Sequence, residues 1–197
     1  MTNRLDRQLE FIIEVDRVKD VFRKSKQFHQ DRYENDAEHS WHIALMAMVL
    51  AEHADGKPDI LRVIKMLLIH DLVEIDTGDT IVYRKNEETE RAEAAAAERI
   101  FGILPVEQGR KFLDLWKEFE AGETAEARFA LAVDRLEPLM QNIYRRGETW
   151  RENNVSAENV KKVNSRIGRS SRVLWEYALS EIERCVSEGF LPDRSNE

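Results

Sequence analysis

The chain has 197 residues, 42% of them apolar and 35% charged, enough for one packed domain and unlike the balance of a disordered or membrane-embedded chain. A net charge of −8 argues against general nucleic-acid binding, which relies on clustered Lys and Arg releasing counterions. One cysteine, Cys185, excludes an internal disulfide and any cysteine-based zinc cluster, and it reads as a small buried hydrophobe. No apolar run approaches the ~18 residues of a membrane span, and the opening residues lack an uninterrupted apolar stretch. A soluble cytoplasmic protein, with no membrane partner, is the expectation.

With eight Gly and four Pro, turn material is scarce, and apolar residues mostly recur at helical spacing. Leu5, Leu9, Ile12, Ile13, Val21 and Phe22 predict an opening helix ending near Lys26, with residues 27–36 a polar loop. Asp36 is expected to cap a second helix that runs past His39 to about Ala54. Gly56 and Pro58 break it, and Pro58 is well placed to start a third helix over residues 59–75. Thr77-Gly78-Asp79 interrupts that helix, and a polar connection over 79–89 leads to an alanine-rich helix. Its run Ala94–Ala97 reads as a strong helix former at a close helix contact. Pro105 opens the next helix and Gly122 closes it; Thr124 to about Arg146 forms another. Ser156 caps a last segment, broken near Gly168 and ending before Gly189. No stretch alternates as a strand does, so the expected class is all-α, a helical bundle without significant sheet, as a single domain over residues 1–197. Trp41, Trp116 and Trp175 read as core; Trp150, in a polar stretch, either caps the core or flanks a pocket.

The chemistry concentrates around His70-Asp71, at the end of an apolar helical run. Neighbouring helical residues point in different directions, so such a pair serves one site only where the helix ends or a metal bridges both side chains. Imidazole and carboxylate together suit a borderline divalent ion. His39 stands at the front of the preceding helix, and Asp134 interrupts an apolar helical face between Leu131 and Leu136. A carboxylate there is costly to bury alone, so it faces outward, pairs with Arg135 or another cation, or binds a metal. His42, one turn after His39, reads as packing or support rather than a ligand.

Glu38-His39-Ser40, then His70-Asp71 with Glu74, then Gly78-Asp79, then the late helical Asp134 form an ordered set. With its flanking strings ENDAEHSWHIALMAMVLAEHA, LLIHDLVEIDTGDT and AVDRLEPLMQN, this set resembles the HD-domain metal-dependent phosphohydrolases, in the branch that includes bacterial 5′-deoxynucleotidases. The resemblance spans roughly residues 10 to 190. It implies one divalent metal, of Mn, Co, Mg, Zn, Fe or Ni, held by His39, His70, Asp71 and Asp134. It implies catalytic proton handling by Glu74 and Asp79, and a small phosphorylated substrate, a nucleoside 5′-monophosphate. Phosphate contacts are expected from Arg23, Lys24 and Arg32. The chain departs from the branch here: an Arg-Trp pair ahead of the metal-binding histidine is replaced by Arg23-Lys24-Ser25, which leaves the nucleotide specificity open.

Two other readings stay open. The same hydrolytic centre could serve a nucleoside triphosphate or cyclic nucleotide, or a non-catalytic helical binding protein could keep the metal for structure. Family members commonly form homodimers, and the apolar faces at residues 101–104 and 174–182 are the expected interface.

Overall fold

A computed structural model describes residues 3–79 and 86–193 of the chain. Residues 80–85 of the expected polar connection lie outside the described residues. Asn3 opens α1 (Arg4–Val15), accepting from Leu5 N while the Asp6 side chain accepts from Asn3 N. The expected long first helix does not continue to Lys26. A short 3₁₀ turn over Asp16–Asp20 follows α1, and β1 (Phe22–Lys26) pairs antiparallel with β2 (Tyr33–Asn35). This two-stranded ribbon corrects both the helix expected to Lys26 and the polar loop expected over 27–36. Its burial pattern explains why it was hidden: the strand FRKSK buries Ser25 and half-buries Arg23 while exposing Phe22, the reverse of an apolar-in pattern.

α2 (Asp36–Leu50) is capped by Asn35, not by Asp36. Asn35 Oδ1 accepts from Glu38 N at 2.9 Å, and Glu38 Oε2 accepts from Asn35 N at 3.2 Å. That reciprocal cap frees Asp36 to turn fully inward. The helix stops at Leu50 and a 3₁₀ turn covers Ala51–His53. Asp59, one residue after Pro58, caps α3 (Ile60–Ile69) through Leu61 N and Arg62 N.

The helix expected over 59–75 is cut short: α3 ends at Ile69, immediately before the His-Asp pair. Ile69 leaves helical backbone values (φ −120°, ψ −10°), and His70–Val73 continue as a 3₁₀ turn into the short α4 (Glu74–Thr77). Gly78 then takes φ +70°, a conformation that favours a residue without Cβ, and turns the chain so that Asp79 follows. α5 (Glu87–Phe101), α6 (Val106–Ala121) and α7 (Ala125–Tyr144) start where Asn86, Pro105 and Thr124 stand. The short α8 (Glu148–Glu152) was not expected; α9 (Ala157–Asn164), a 3₁₀ turn over Ser165–Arg169 and α10 (Arg172–Ser187) complete the described chain.

α3 packs between α2 and α7, and α9 and α10 close over the other side of α7. This forms one apolar cluster, with Ile43, Met66, Leu67, Phe129 and Ile182 fully buried. A second cluster gathers Phe11, Leu72, Ile100, Phe101 and Leu104 where α1, α5 and α6 meet the 3₁₀ turn after α3. Phe101, Leu104, Leu174 and Ile182 are therefore core, so these four side chains are taken up inside the fold, while Tyr177 of the same stretch stays exposed. Trp41 is corrected in the opposite direction: expected in the core, it is 65% exposed, whereas Trp116 and Trp150 are buried.

Gly109 lies where α6 crosses the end of α5, and a Cβ there would stand 2.3 Å from the Phe101 carbonyl oxygen. Gly109→Ala should force the two helices apart and destabilise the protein by about 1–3 kcal/mol. Thermal unfolding checks this, with a fall in Tm of several degrees expected (~2–4 °C per kcal/mol).

Candidate metal centre

His39, His70, Asp71 and Asp134 arrive from α2, the 3₁₀ turn after α3, and α7, and the structure brings all four together. His39 Nε2 lies 3.2 Å from Asp134 Oδ1 and 4.0 Å from Asp71 Oδ2. His70 Nε2 lies 3.0 Å from Asp71 Oδ2 and 3.5 Å from Asp134 Oδ1. Ligand-type atoms of His39, His70 and Asp71 all fall within 4.8 Å of one another. The break at Ile69 is what lets adjacent residues serve one centre.

Each imidazole is oriented from behind. His70 Nδ1 contacts the Leu67 carbonyl at 2.9 Å, the His70 carbonyl accepts from Trp116 Nε1 at 3.1 Å, and the ring packs 4.9 Å from Phe119. His39 Nδ1 faces Glu137 Oε2 at 3.3 Å and Glu34 Oε2 at 3.5 Å. Glu137 also meets His42 Nδ1 at 3.2 Å, so His42 supports this layer rather than the centre. Such partners fix which ring nitrogen is turned to a metal. On the remaining side, Asp134 is followed four residues later by Pro138, which lacks the N–H that the Asp134 carbonyl would otherwise receive.

Electrostatics show how tightly the groups depend on one another. Burial lowers the proton affinity of His70, but Asp71 and Asp134 outweigh it and raise the pKa to about 9. Burial and Arg23 act against His39 in the same way, and Asp134, Glu137 and Glu34 carry it well above the usual value. Burial would raise Asp71, yet His70 and Arg23 hold it far below the carboxylate range. Burial acts likewise on Asp134, which Arg135, His39 and His70 bring down. His70 Nε2 is buried without a hydrogen-bond partner although two carboxylates stand close to it. Two imidazole nitrogens and two carboxylates turned on one point form a donor set that fits a divalent ion.

Beside this cluster, Arg23 of β1 reaches Asp71 Oδ2 at 2.6 Å and Asp36 Oδ1 at 3.3 Å. Burial and the charges on Asp71 and Asp36 push Glu74 well above the ordinary value. Burial, with Asp71, raises Asp79 against the pull of Arg23. Burial and Asp71 bring Asp36 up to about 7. Arg23, Lys24, Glu74 and Asp79 line one cavity of about 500 Å³ with His70, Asp71 and Asp134. Lys24 is exposed at its edge. Arg32 is not brought there: it clamps Glu38 at 2.6 and 2.8 Å and does not line the cavity. Arg135 stands 3.7 Å from Asp134, the pairing considered from sequence, whereas sequence reasoning missed Asp36, taken for a cap, and Glu34 and Glu137. Glu137 was within reach, since i and i+3 share a helical face with Asp134; Glu34 was not, because the ribbon that carries it was unseen.

Comparison with known proteins matches a family described as HD domain over residues 15–175. The curated 5′-deoxynucleotidase HDDC2 of Xenopus laevis is 34% identical over 137 residues, 68% of this chain and 66% of that protein. Its Homo sapiens counterpart is 31% identical over 68% of this chain and 65% of its own length. The matched stretch thus spans just under two thirds of these relatives. Among solved structures, a predicted metal-dependent phosphohydrolase from Magnetospirillum magnetotacticum MS-1 superimposes with a TM-score of 0.92 at 46% identity, covering 96% of each chain. The PH0347 protein of Pyrococcus horikoshii OT3, at 23% identity and a TM-score of 0.62, shares the fold.

The raised proton affinities set a pH signature for the metal-free protein. His70 sits above its ordinary 6.5, so its stabilising contribution is complete below that pH and is lost as pH rises through about 9. Asp36 acts in the same direction, its contribution complete below 3.8 and lost as pH rises through about 7. Chelator-treated protein should therefore unfold at lower temperature at pH 9 than at pH 6, and added Mn should reverse that trend because bound metal replaces the protons. Thermal unfolding with and without metal at both pH values checks it.

Proposed function

The chain belongs to the HD domain family, and from that footing we propose that it is a divalent-metal-dependent phosphohydrolase acting on nucleoside 5′-monophosphates, deoxyribonucleotides included. The 5′-deoxynucleotidase relatives support this substrate class. The observation that carries the reading is one cavity lined by His70, Asp71 and Asp134, with His39 buried directly behind them, beside the half-buried Arg23 and two carboxyls with raised proton affinity. We take the whole chain as one such unit, working in the cytoplasm.

His39, His70, Asp71 and Asp134 would hold the ion. When bound, it supplies positive charge to the phosphoryl oxygens and acidity to a water. Arg23, anchored on Asp71 and Asp36, presents its guanidinium toward the same space and orients the phosphoryl group. Glu74 and Asp79 are the groups placed to take up or give a proton, since burial and neighbouring carboxylates raise the proton affinity of both above the ordinary carboxylate value. In the reaction, water oxygen bonds to phosphorus as the bond to the nucleoside oxygen breaks. One of the two carboxyls takes the proton of the water, and the departing alkoxide receives one. A structural metal site would have no use for these two carboxyls, which favours the enzymatic reading over a binding protein.

Release of inorganic phosphate from a panel of nucleoside 5′-monophosphates, with Mn, Co, Mg and Zn supplied in turn, tests this directly. Phosphate release is expected from monophosphates, and release of only pyrophosphate or triphosphate from other nucleotides would overturn it. Glu74→Gln and Asp79→Ala should lower kcat by at least about 100-fold while metal content stays the same.

We also propose a homodimer, through a surface other than the one the sequence suggested. Leu5, Leu9, Ile12 and Ile13 of α1 are all more than half exposed, an unusual concentration on one helix. Light scattering should give a dimer mass, and Ile12→Glu with Ile13→Glu should give a monomer.

A further inference from the structure

The cavity that contains the metal centre has a second wall, built by α7, α9 and the 3₁₀ turn after α9. Arg135, Lys162 and Arg166 line it. Among the described residues, neither Lys162 nor Arg166 makes an ion pair, and Arg135 reaches only Asp134, through Nη1 at 3.7 Å, while its Nε is buried without a hydrogen-bond partner. Lys162 and Arg166 are four residues apart, so they project from neighbouring turns, where like charges repel. Their neighbour Lys161 faces elsewhere and pairs with Glu183 at 3.5 Å. The chain carries a net charge of −8, so partners for these cations are not scarce in composition. They are withheld at this wall, although Glu90, Glu93 and Glu120 line the cavity elsewhere.

The phosphoryl end of a substrate is already provided for by Arg23 and the metal centre. Cations at the second wall are therefore surplus to a ligand with one phosphate. We infer that Arg135, Lys162 and Arg166 form an anion subsite for a second phosphate on the same substrate, so that the preferred substrate is a nucleotide bearing two phosphate groups, one of which is hydrolysed. This rests on the proposed phosphohydrolase activity and extends its substrate class beyond the monophosphates to nucleotides that carry a second phosphate. Two charge-assisted contacts to a phosphate are strong enough to show as a clear difference in affinity. A mere electrostatic funnel would instead speed the binding of every anionic nucleotide alike.

The test uses calorimetric binding of a nucleoside 5′-monophosphate, its 3′,5′-bisphosphate and its 5′-diphosphate to the metal-loaded protein. One of the two-phosphate ligands should bind about tenfold more tightly than the monophosphate, in keeping with hydrogen bonds to charged groups. Which one gains tells whether the second phosphate sits on the sugar or in the chain. Lys162→Ala with Arg166→Ala should bring that ratio close to one, and Lys161→Ala, which removes one positive charge from the residue next to Lys162, should preserve it. The inference is overturned if neither two-phosphate ligand gains, if the ratio survives in the double variant, or if Lys161→Ala erases it equally. Hydrolysis measured on the same ligands separates the two levels: no phosphate release from any of them defeats the proposed function, while the binding ratios still decide the subsite.

Discussion

Everything at this site depends on buried carboxylates that cannot stay charged without cations beside them. Asp36, Asp71, Glu74 and Asp134 crowd one small volume, and ionised carboxylates are costly to remove from water unless compensated. His39, His70 and Arg23 supply that compensation in the metal-free protein. The compensation is incomplete: Asp36, Glu74 and Asp79 each keep a buried oxygen without a hydrogen-bond partner. A centre poised in this way favours any ligand that brings positive charge, which is the physical reason a divalent ion suits it.

The fold is arranged to sustain that arrangement. Three elements remote in sequence deliver the four donor residues, and the packing of α3 between α2 and α7 fixes their separation. The switch from α to 3₁₀ backbone at Ile69 turns both members of the His-Asp pair inward. Trp116 and Phe119, from α6, hold His70 by its carbonyl and its ring face. The ribbon β1–β2 has a comparable role for Arg23, laying it over Asp36 and Asp71. Loss of any one of these supports would misplace a charge in a setting where small displacements are costly.

Much of this was legible from residue order. The helices announced themselves by periodicity and by caps at Thr124 and Ser156, and the His39, His70-Asp71, Asp134 set was visible as spaced residue types. The pair itself left a helix end or a bridging metal open, and periodicity carried the helix on to residue 75, past the break at Ile69. What stayed hidden was hidden for identifiable reasons. FRKSK turns polar residues inward because its inner face borders a charged cavity, so no alternation marked it as a strand. Asp36 looks like a cap, and only the reciprocal Asn35–Glu38 bonds show that it is a buried charge. Arg32 stands next to the matched string but is taken by Glu38, a competition that spacing cannot reveal. The apolar runs at residues 101–104 and 174–182 look like surface faces until Phe101, Leu104, Leu174, Ala178 and Ile182 are seen inside the two core clusters.

The most direct test of the account is anomalous diffraction from crystals grown with Mn, recorded at the metal absorption edge. The account predicts a peak within coordination distance of His39 Nε2, His70 Nε2, a carboxylate oxygen of Asp71 and one of Asp134. No peak at that point, or a peak bound only by surface carboxylates, would contradict it.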